Sequence, residues 1–238
     1  MKTVADRMVE ILMEAGVKTV FGIPSIHNLG LYEALRKTPD IKHILCRHES
    51  TATHMADGYA RESGKIGVAI ASTGPGVGYT VPALQEAFGS SVPLLVIATN
   101  IASTKIGKGI GTLHEITEQE KIFRNVTKGV FAIRAKSEAQ DLTRRALATA
   151  LLGRPGPVYL EIPTDLLNKE VEEESPVVMD PFPKTPPPPN LEKAIALMGE
   201  AQNPLVSVGT AALRAGLSKD IIGIAEALTA PVLFSPNA

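Results

Sequence analysis

Glu49 is a carboxylate at a point in the chain where chemistry is easily built. It follows Arg47-His48 at the end of an apolar run, Ile41 to Cys46, which is bounded by Pro39-Asp40. After it, Ala52, Met55, Ala56, Tyr59 and Ala60 recur at helical spacing. The first run reads as a strand and the second as an amphipathic helix, so Glu49 falls at a strand's carboxyl end, in or just before a helix's first turn. Unpaired amides and the helix macrodipole favour negative charge there, and ligands of open parallel sheets gather at the same edge. A carboxylate so placed can move a proton in a pocket drier than bulk water, or it can serve only as a stabilising acid at a helix start.

A second strand, Ile66 to Ala71, runs into Ser72-Thr73-Gly74-Pro75-Gly76-Val77-Gly78 before a helical stretch from about Thr80 to Phe88. Glycines in such a turn let backbone approach a flat ligand, though Gly-Pro-Gly is also ordinary punctuation. His114, in Gly111-Thr112-Leu113-His114-Glu115, has the side chain that relays protons near neutral pH, and it also suits the start of a helix at about Glu115. His27 fits a satisfied loop, His48 a neighbour that positions Glu49, and His54 a helix surface. Gly107 to Thr112 is glycine-rich but lacks the Walker spacing, which leaves an active-site loop as its reading. Cys46 is the single cysteine, so neither an internal disulfide nor a cysteine metal site can form; at the end of a buried strand it reads as a small hydrophobe.

The elements that must hold these groups alternate. A helix from about Val4 to Glu14 stops at Gly16 and leads to a short strand at Thr19 to Phe21. Strands near 41 to 46, 66 to 71, 94 to 98, 128 to 133 and 157 to 161 follow, with helices near 50 to 62, 80 to 88, 115 to 123 and 137 to 151. That order predicts an α/β fold, a doubly wound, mostly parallel sheet with helices on both faces, over residues 1–170. An acidic and proline-rich linker is expected over 171–190, then a second, incomplete α/β domain over 191–238. Its helices fall at Leu191 to Ala201 and Ser218 to Leu228, and its strands at Leu205 to Val208 and Pro231 to Phe234. Two or so strands cannot bury both faces of such a layer, which points to a fragment of a longer protein.

The 238 residues are 44% hydrophobic, enough for a sizeable core. A net charge of -1 with scattered basic residues gives no nucleic-acid footprint, and no apolar run is long enough to span a bilayer. The N-terminus carries Asp6, Arg7 and Glu10 within a helical pattern, unlike a signal peptide, so the cytoplasm is the expected compartment and neither DNA nor membrane an expected partner.

In order and spacing, Gly22-Ile23-Pro24, His27-Asn28-Leu29, the Arg47 to Arg61 segment, Gly74-Pro75-Gly76, Ser91-Val92-Pro93-Leu94 and Gly153 to Pro163 resemble one family. It is that of thiamine-diphosphate enzymes of the acetolactate synthase, benzoylformate decarboxylase and pyruvate decarboxylase group, in their N-terminal pyrimidine-binding domain. The resemblance implies thiamine diphosphate as cofactor and a 2-oxo acid as substrate, decarboxylated or used as a source of an acyl carbanion equivalent. It implies that Glu49 bonds the aminopyrimidine and favours the imino tautomer that takes the thiazolium proton, and that Pro24, Ser25, Ser72, Pro75, Gly76 and Tyr79 line the pyrimidine pocket. Ser25 stands where a glycine is usual, and Tyr79 where the synthases commonly have asparagine. At His114 the synthases tend to carry glutamine and some decarboxylases histidine. Mg2+ would be held by a Gly-Asp-Gly motif of a separate domain, and no Gly-Asp-Gly occurs here. The site would form between subunits of at least a homodimer, or of a homotetramer, and the fragment alone would be inactive. FAD in the central domain is compatible with the family but has no supporting motif. Two other classes compete: a non-catalytic cofactor-domain subunit or relic, and a nucleotide-binding Rossmann protein, whose Gly-x-Gly-x-x-Gly turn is absent.

Overall fold

A computed structural model describes residues 1–172 and 189–235, which fall in two units divided near residue 181. Most of the expected linker at 171–190 lies outside the described residues.

The first unit begins with β1 (Lys2–Thr3) and α1 (Val4–Glu14), the helix started by a Thr3–Asp6 capping box. Then come β2 (Thr19–Gly22), α2 (Leu29–Arg36), β3 (Lys42–Leu45), α3 (Glu49–Ser63) and β4 (Gly67–Ala71). The chain continues through α4 (Pro75–Gly78), α5 (Val81–Gly89), β5 (Leu94–Asn100), β6 (Gly129–Ala132), α6 (Ala139–Leu151), β7 (Pro157–Pro163) and β8 (Glu170–Val171). Six strands form one sheet in the order β3-β2-β4-β5-β7-β6, every pair parallel, while β1 and β8 make a separate antiparallel pair. The alternating elements thus close into the predicted doubly wound α/β sheet.

Strand alternation divides the core. Val68 and Ile70 of β4, with Leu95 and Ile97 of β5, pack with α1, α2 and α6 on one face. Ala69 and Ala71, with Leu94, Val96 and Ala98, pack with α3 and α5 on the other. Burial of each large aliphatic side chain in these layers contributes roughly 1.5–3 kcal/mol. The α3 face is made of small residues, Ala52, Ala56 and Ala60, and a side chain at Gly67 would run into the Ala56 carbonyl. This close approach seats α3, and hence Glu49 at its first turn, firmly on β4.

One sequence expectation is corrected and two elements are added. The helix expected near 115 to 123 is only a 3-10 turn at Gln119–Phe123, because Glu118 adopts a left-handed backbone (φ +53°) that breaks any longer helix. The helix α2 and the β1–β8 pair were not anticipated. The second unit holds α7 (Leu191–Gly199), β9 (Val206–Val208), α8 (Thr210–Arg214), α9 (Ser218–Leu228) and β10 (Val232–Phe234), with β9 and β10 parallel. Of its described hydrophobic residues only Val208 and Ala225 are buried, in keeping with a sheet of two strands. No helix among the described residues is long and apolar enough to cross a membrane.

Candidate active site

The sheet order places a topological switch between β2 and β4. From β2 the chain leaves through α2, on one face, to β3; from β4 it leaves through α5, on the other face, to β5. The two connections part and leave a crevice beyond the strands' carboxyl ends, the place where ligands of open α/β sheets bind. Ser25, after β2, and Ser72, after β4, meet across it with their hydroxyl oxygens 2.8 Å apart. The turn before Ser25 is held from within: buried Asn28 accepts from the Ser25 amide (2.7 Å) and donates to the Ile23 carbonyl (3.1 Å), which sets Pro24 at the crevice rim. Sequence reading recognised Asn28 as part of a motif and missed this role.

Glu49 is the first residue of α3, as the sequence placed it. His48 caps the helix, its Nδ1 accepting from the Ser50 amide, and its ring lies 4.5 Å from that of exposed Tyr79. A methyl group on Gly76 would stand 2.7 Å from Glu49 Oε1 and 3.3 Å from Ser72 Cβ, so glycine lets the carboxylate lie close against this turn. Glu49, Ser72 and Gly76 are therefore in one place, with Pro75 beside them and Tyr79 one turn further on. Among the described residues the Glu49 carboxylate accepts no hydrogen bond and makes no ion pair. Cys46 is buried, its thiol pushed up by that burial, as befits an inert side chain.

His114 comes to the same crevice from the loop after β5. It has a left-handed backbone (φ +68°) and packs against Gly74. No helix begins at Glu115 for it to flank; that carboxylate instead accepts from the amides of Gly109 and Thr112, folding the loop on itself. The Nδ1 of His114 lies 3.1 Å from the Thr73 carbonyl oxygen. A carbonyl can only accept, so Nδ1 carries the proton of the neutral ring and Nε2 holds the lone pair. The His27 ring stands 5.0 Å from it. Burial, and then the neighbouring His114, lower the His27 pKa. His54 lies exposed on α3, bonded to the Ser50 carbonyl.

Behind the crevice is a buried polar cluster with no sequence signature. Glu161 of β7, fully buried, accepts from Asn100, Arg134, Gln119 and Tyr159 at 2.8–2.9 Å. Burial, and then the Glu161 carboxylate, hold the Tyr159 phenol protonated, and its ring stacks on Phe123 at 3.9 Å.

Residues 2–122 match the family model described as thiamine pyrophosphate enzyme, N-terminal TPP binding domain. The chain is 38% identical over 235 residues to the probable 2-ketoarginine decarboxylase AruI of Pseudomonas aeruginosa, covering 98% of the chain and 42% of that protein. It is 33% identical over 237 residues to the acetolactate synthase isozyme 3 large subunit of Escherichia coli (97% and 41%). A probable acetolactate synthase large subunit of Methanocaldococcus jannaschii is 33% identical over 235 residues (96% and 39%). The chain thus spans about two-fifths of the length of these relatives. With a doubly wound sheet, a carboxylate at its switch crevice and more than half its residues matched, the chain belongs to the family of thiamine pyrophosphate enzymes, through their N-terminal, TPP-binding domain.

Proposed function

We propose that this chain is the pyrimidine-binding part of a thiamine-diphosphate-dependent enzyme, acting in the cytoplasm, that decarboxylates a 2-oxo acid or passes the resulting acyl unit to an acceptor. The observation that carries this reading is the Glu49 carboxylate, which has no hydrogen-bond or ion-pair partner among the described residues and lies close against Gly76 at the switch crevice. A flat heterocycle needs backbone close by and a carboxylate at its edge, and these residues fit it: a side chain at Gly76 would push away the carboxylate that has to meet the ring's edge. In this proposal residues 1–170 are the pyrimidine domain, 171–190 the linker and 191–238 the start of a central domain. The diphosphate and Mg2+ would be held by a following domain of a second copy of the protein.

When bound, thiamine diphosphate supplies the electron sink that cleavage beside a 2-oxo group demands. The chain's own residues do narrower work. Glu49 gives or takes a proton at the edge of the ring, and its place at the start of α3 orients the carboxylate there. Ser25, Ser72, Pro24, Pro75 and Gly76 shape the slot, and Tyr79, against His48, closes one side of it. His114 presents the unprotonated Nε2 to the crevice, able to accept a proton there and return it.

The test is Glu49→Gln in the full-length protein, followed by hydrogen–deuterium exchange at the cofactor's thiazolium carbon, which isolates activation from substrate binding and product release. Loss of a positioned acid–base group slows exchange about a hundred- to ten-thousandfold. Wild-type exchange with cofactor bound would return Glu49 to the role of a helix-start acid.

A further inference from the structure

One peptide group joins the crevice to the buried cluster behind it. The carbonyl of the Thr73–Gly74 peptide lies 3.1 Å from His114 Nδ1, and the amide of the same peptide donates to Gln119 Oε1 at 2.9 Å. Gln119 is itself fully buried and its orientation is forced. Its amide nitrogen faces three oxygens, the Thr99 carbonyl (3.0 Å), the Tyr159 hydroxyl (3.0 Å) and Glu161 Oε2 (2.9 Å), so only the carbonyl end can meet the Gly74 N–H. Tyr159 donates its own proton to Glu161, and Asn100 and Arg134 occupy the other carboxylate oxygen. A Gln119 flipped by half a turn would set its oxygen against these acceptors and its NH2 against an N–H donor. On the other side of the peptide, Gly74 is held at φ +67°, and a side chain there would run into the His114 backbone.

We propose that Gln119 is a positioning residue that sets the tautomer of His114 through the Thr73–Gly74 peptide. With the Gly74 N–H fixed toward Gln119, the Thr73 carbonyl can point only toward His114. A carbonyl at Nδ1 draws the ring's proton to that nitrogen and leaves Nε2 as the proton acceptor. Without Gln119 the peptide loses its anchor, the carbonyl turns away, and the ring relaxes toward the Nε2–H form, which cannot accept a proton at the crevice. The consequence for catalysis rests on the function proposed above. The tautomer does not depend on it, so the two fail separately.

The experiment uses the full chain labelled with nitrogen-15 histidine, its five histidines being separated by the loss of one signal set in His114→Asn. Two-bond proton–nitrogen correlation above the ring's titration should show His114 with its proton on Nδ1, and the Gly74 amide should exchange slowly. In Gln119→Met the ratio of Nδ1–H to Nε2–H should fall by roughly two- to tenfold, the worth of one net hydrogen bond. Gln119→Glu, which in its protonated form keeps an acceptor for Gly74 and a donor toward Glu161, should recover the ratio in part. The proposal is overturned if wild-type His114 carries its proton on Nε2, if the Gly74 amide exchanges as fast as an exposed one, or if folded Gln119→Met keeps the wild-type ratio. Should neither variant fold, the two wild-type measurements decide. An inactive holoenzyme with the Nδ1–H tautomer intact would count against the catalytic reading and leave the relay standing.

Discussion

Two carboxylates near the same edge of the sheet are treated in opposite ways. Glu161, towards the end of β7, is fully buried and accepts from four side chains; Glu49, after β3, is half-buried and accepts from none among the described residues. A buried charge is tolerable only when paired and bonded, so the first is committed to the fold. In the function proposed above, the second keeps its lone pairs for the cofactor ring. A buried acid at a strand end draws the eye to Glu161, yet in the function proposed above the proton is moved by the acid that has no partner among the described residues. The contrast also sorts the sheet: the β5-β7-β6 side forms a rigid buttress, and the β3-β2-β4 side carries the open crevice.

The sharpest way to break this comparison is to remove each charge in turn. Glu161→Gln leaves Arg134 without its buried partner and turns amide hydrogens toward donors, so it should lower unfolding free energy by about 3 kcal/mol, the low end for a broken buried pair because Arg134 is partly exposed. Glu49→Gln should cost less than about 1 kcal/mol, the worth of one acid at a helix start, while slowing cofactor activation by orders of magnitude. Denaturant unfolding of both variants checks this, and equal losses of stability would erase the distinction.

Gly76→Ala tests the close packing of Glu49 on Gly76 rather than the charge. The added methyl would meet the end of a flexible side chain at 2.7 Å, which Glu49 can relieve by moving, so the fold should survive. Displacing a catalytic carboxylate by about 1 Å costs on the order of a hundredfold in rate. The expected result is a protein with wild-type melting and thiazolium exchange slowed by about that factor. Unaltered exchange would show that Glu49 has room to spare, against the tight slot argued here.

Much of this was legible in the residues. Buried strands and α3 announce themselves by apolar runs and helical spacing, and the rule that ligands gather at strand ends singled out Glu49; the family resemblance, rather than spacing, named Ser72, Gly76 and His114, and the structure has Ser72 and Gly76 beside Glu49 and His114 against Gly74. Elements too short for a period were not legible: β1 and β8 have two residues each, and α2 has eight, with Gly30 interrupting the apolar pattern in its first turn. The helix expected from Glu115 failed because Glu115 spends its carboxylate on loop amides and Glu118 turns left-handed, local choices invisible to periodicity. Gln119 sits between two glutamates in a stretch that reads as solvated surface, and only its bonds to Gly74, Thr99, Tyr159 and Glu161 reveal it as core.

A smaller effect probes the crevice side through His27. Burial, then the neighbouring His114, lower its pKa from the ordinary 6.5. The folded chain thus binds this proton less readily than the unfolded one, and its contribution to stability is complete above about pH 6.5, declines as pH falls below that, and levels off under the folded midpoint. Following the His27 ring by nuclear magnetic resonance in His114→Ala should show the midpoint rising part of the way back, the share left by burial remaining. A midpoint that falls, or stays, would mean the two rings do not sense each other's charge.

The smallest expected effect concerns Tyr32, whose hydroxyl is buried without a hydrogen-bond partner among the described residues, against Gly22 and near enough to Glu49 to feel its charge. Burial, followed by the charges that Cys46 and Glu49 carry when ionised, pushes the phenol far up, so it stays neutral. Its ring contacts His43 edge-on at 4.8 Å, a packing role that phenylalanine fills equally well. Because an unpaired buried hydroxyl is a cost rather than a gain, Tyr32→Phe should leave melting unchanged or raise stability by up to about 1 kcal/mol. Thiazolium exchange should stay near wild type, since in this structure Tyr32 donates nothing to Glu49. A loss of more than about 1 kcal/mol, together with slowed exchange, would show that the hydroxyl reaches the Glu49 carboxylate in the working enzyme. Glu49 would then be an acid held by the protein as Glu161 is, and the difference between the two sides of the sheet would be one of degree.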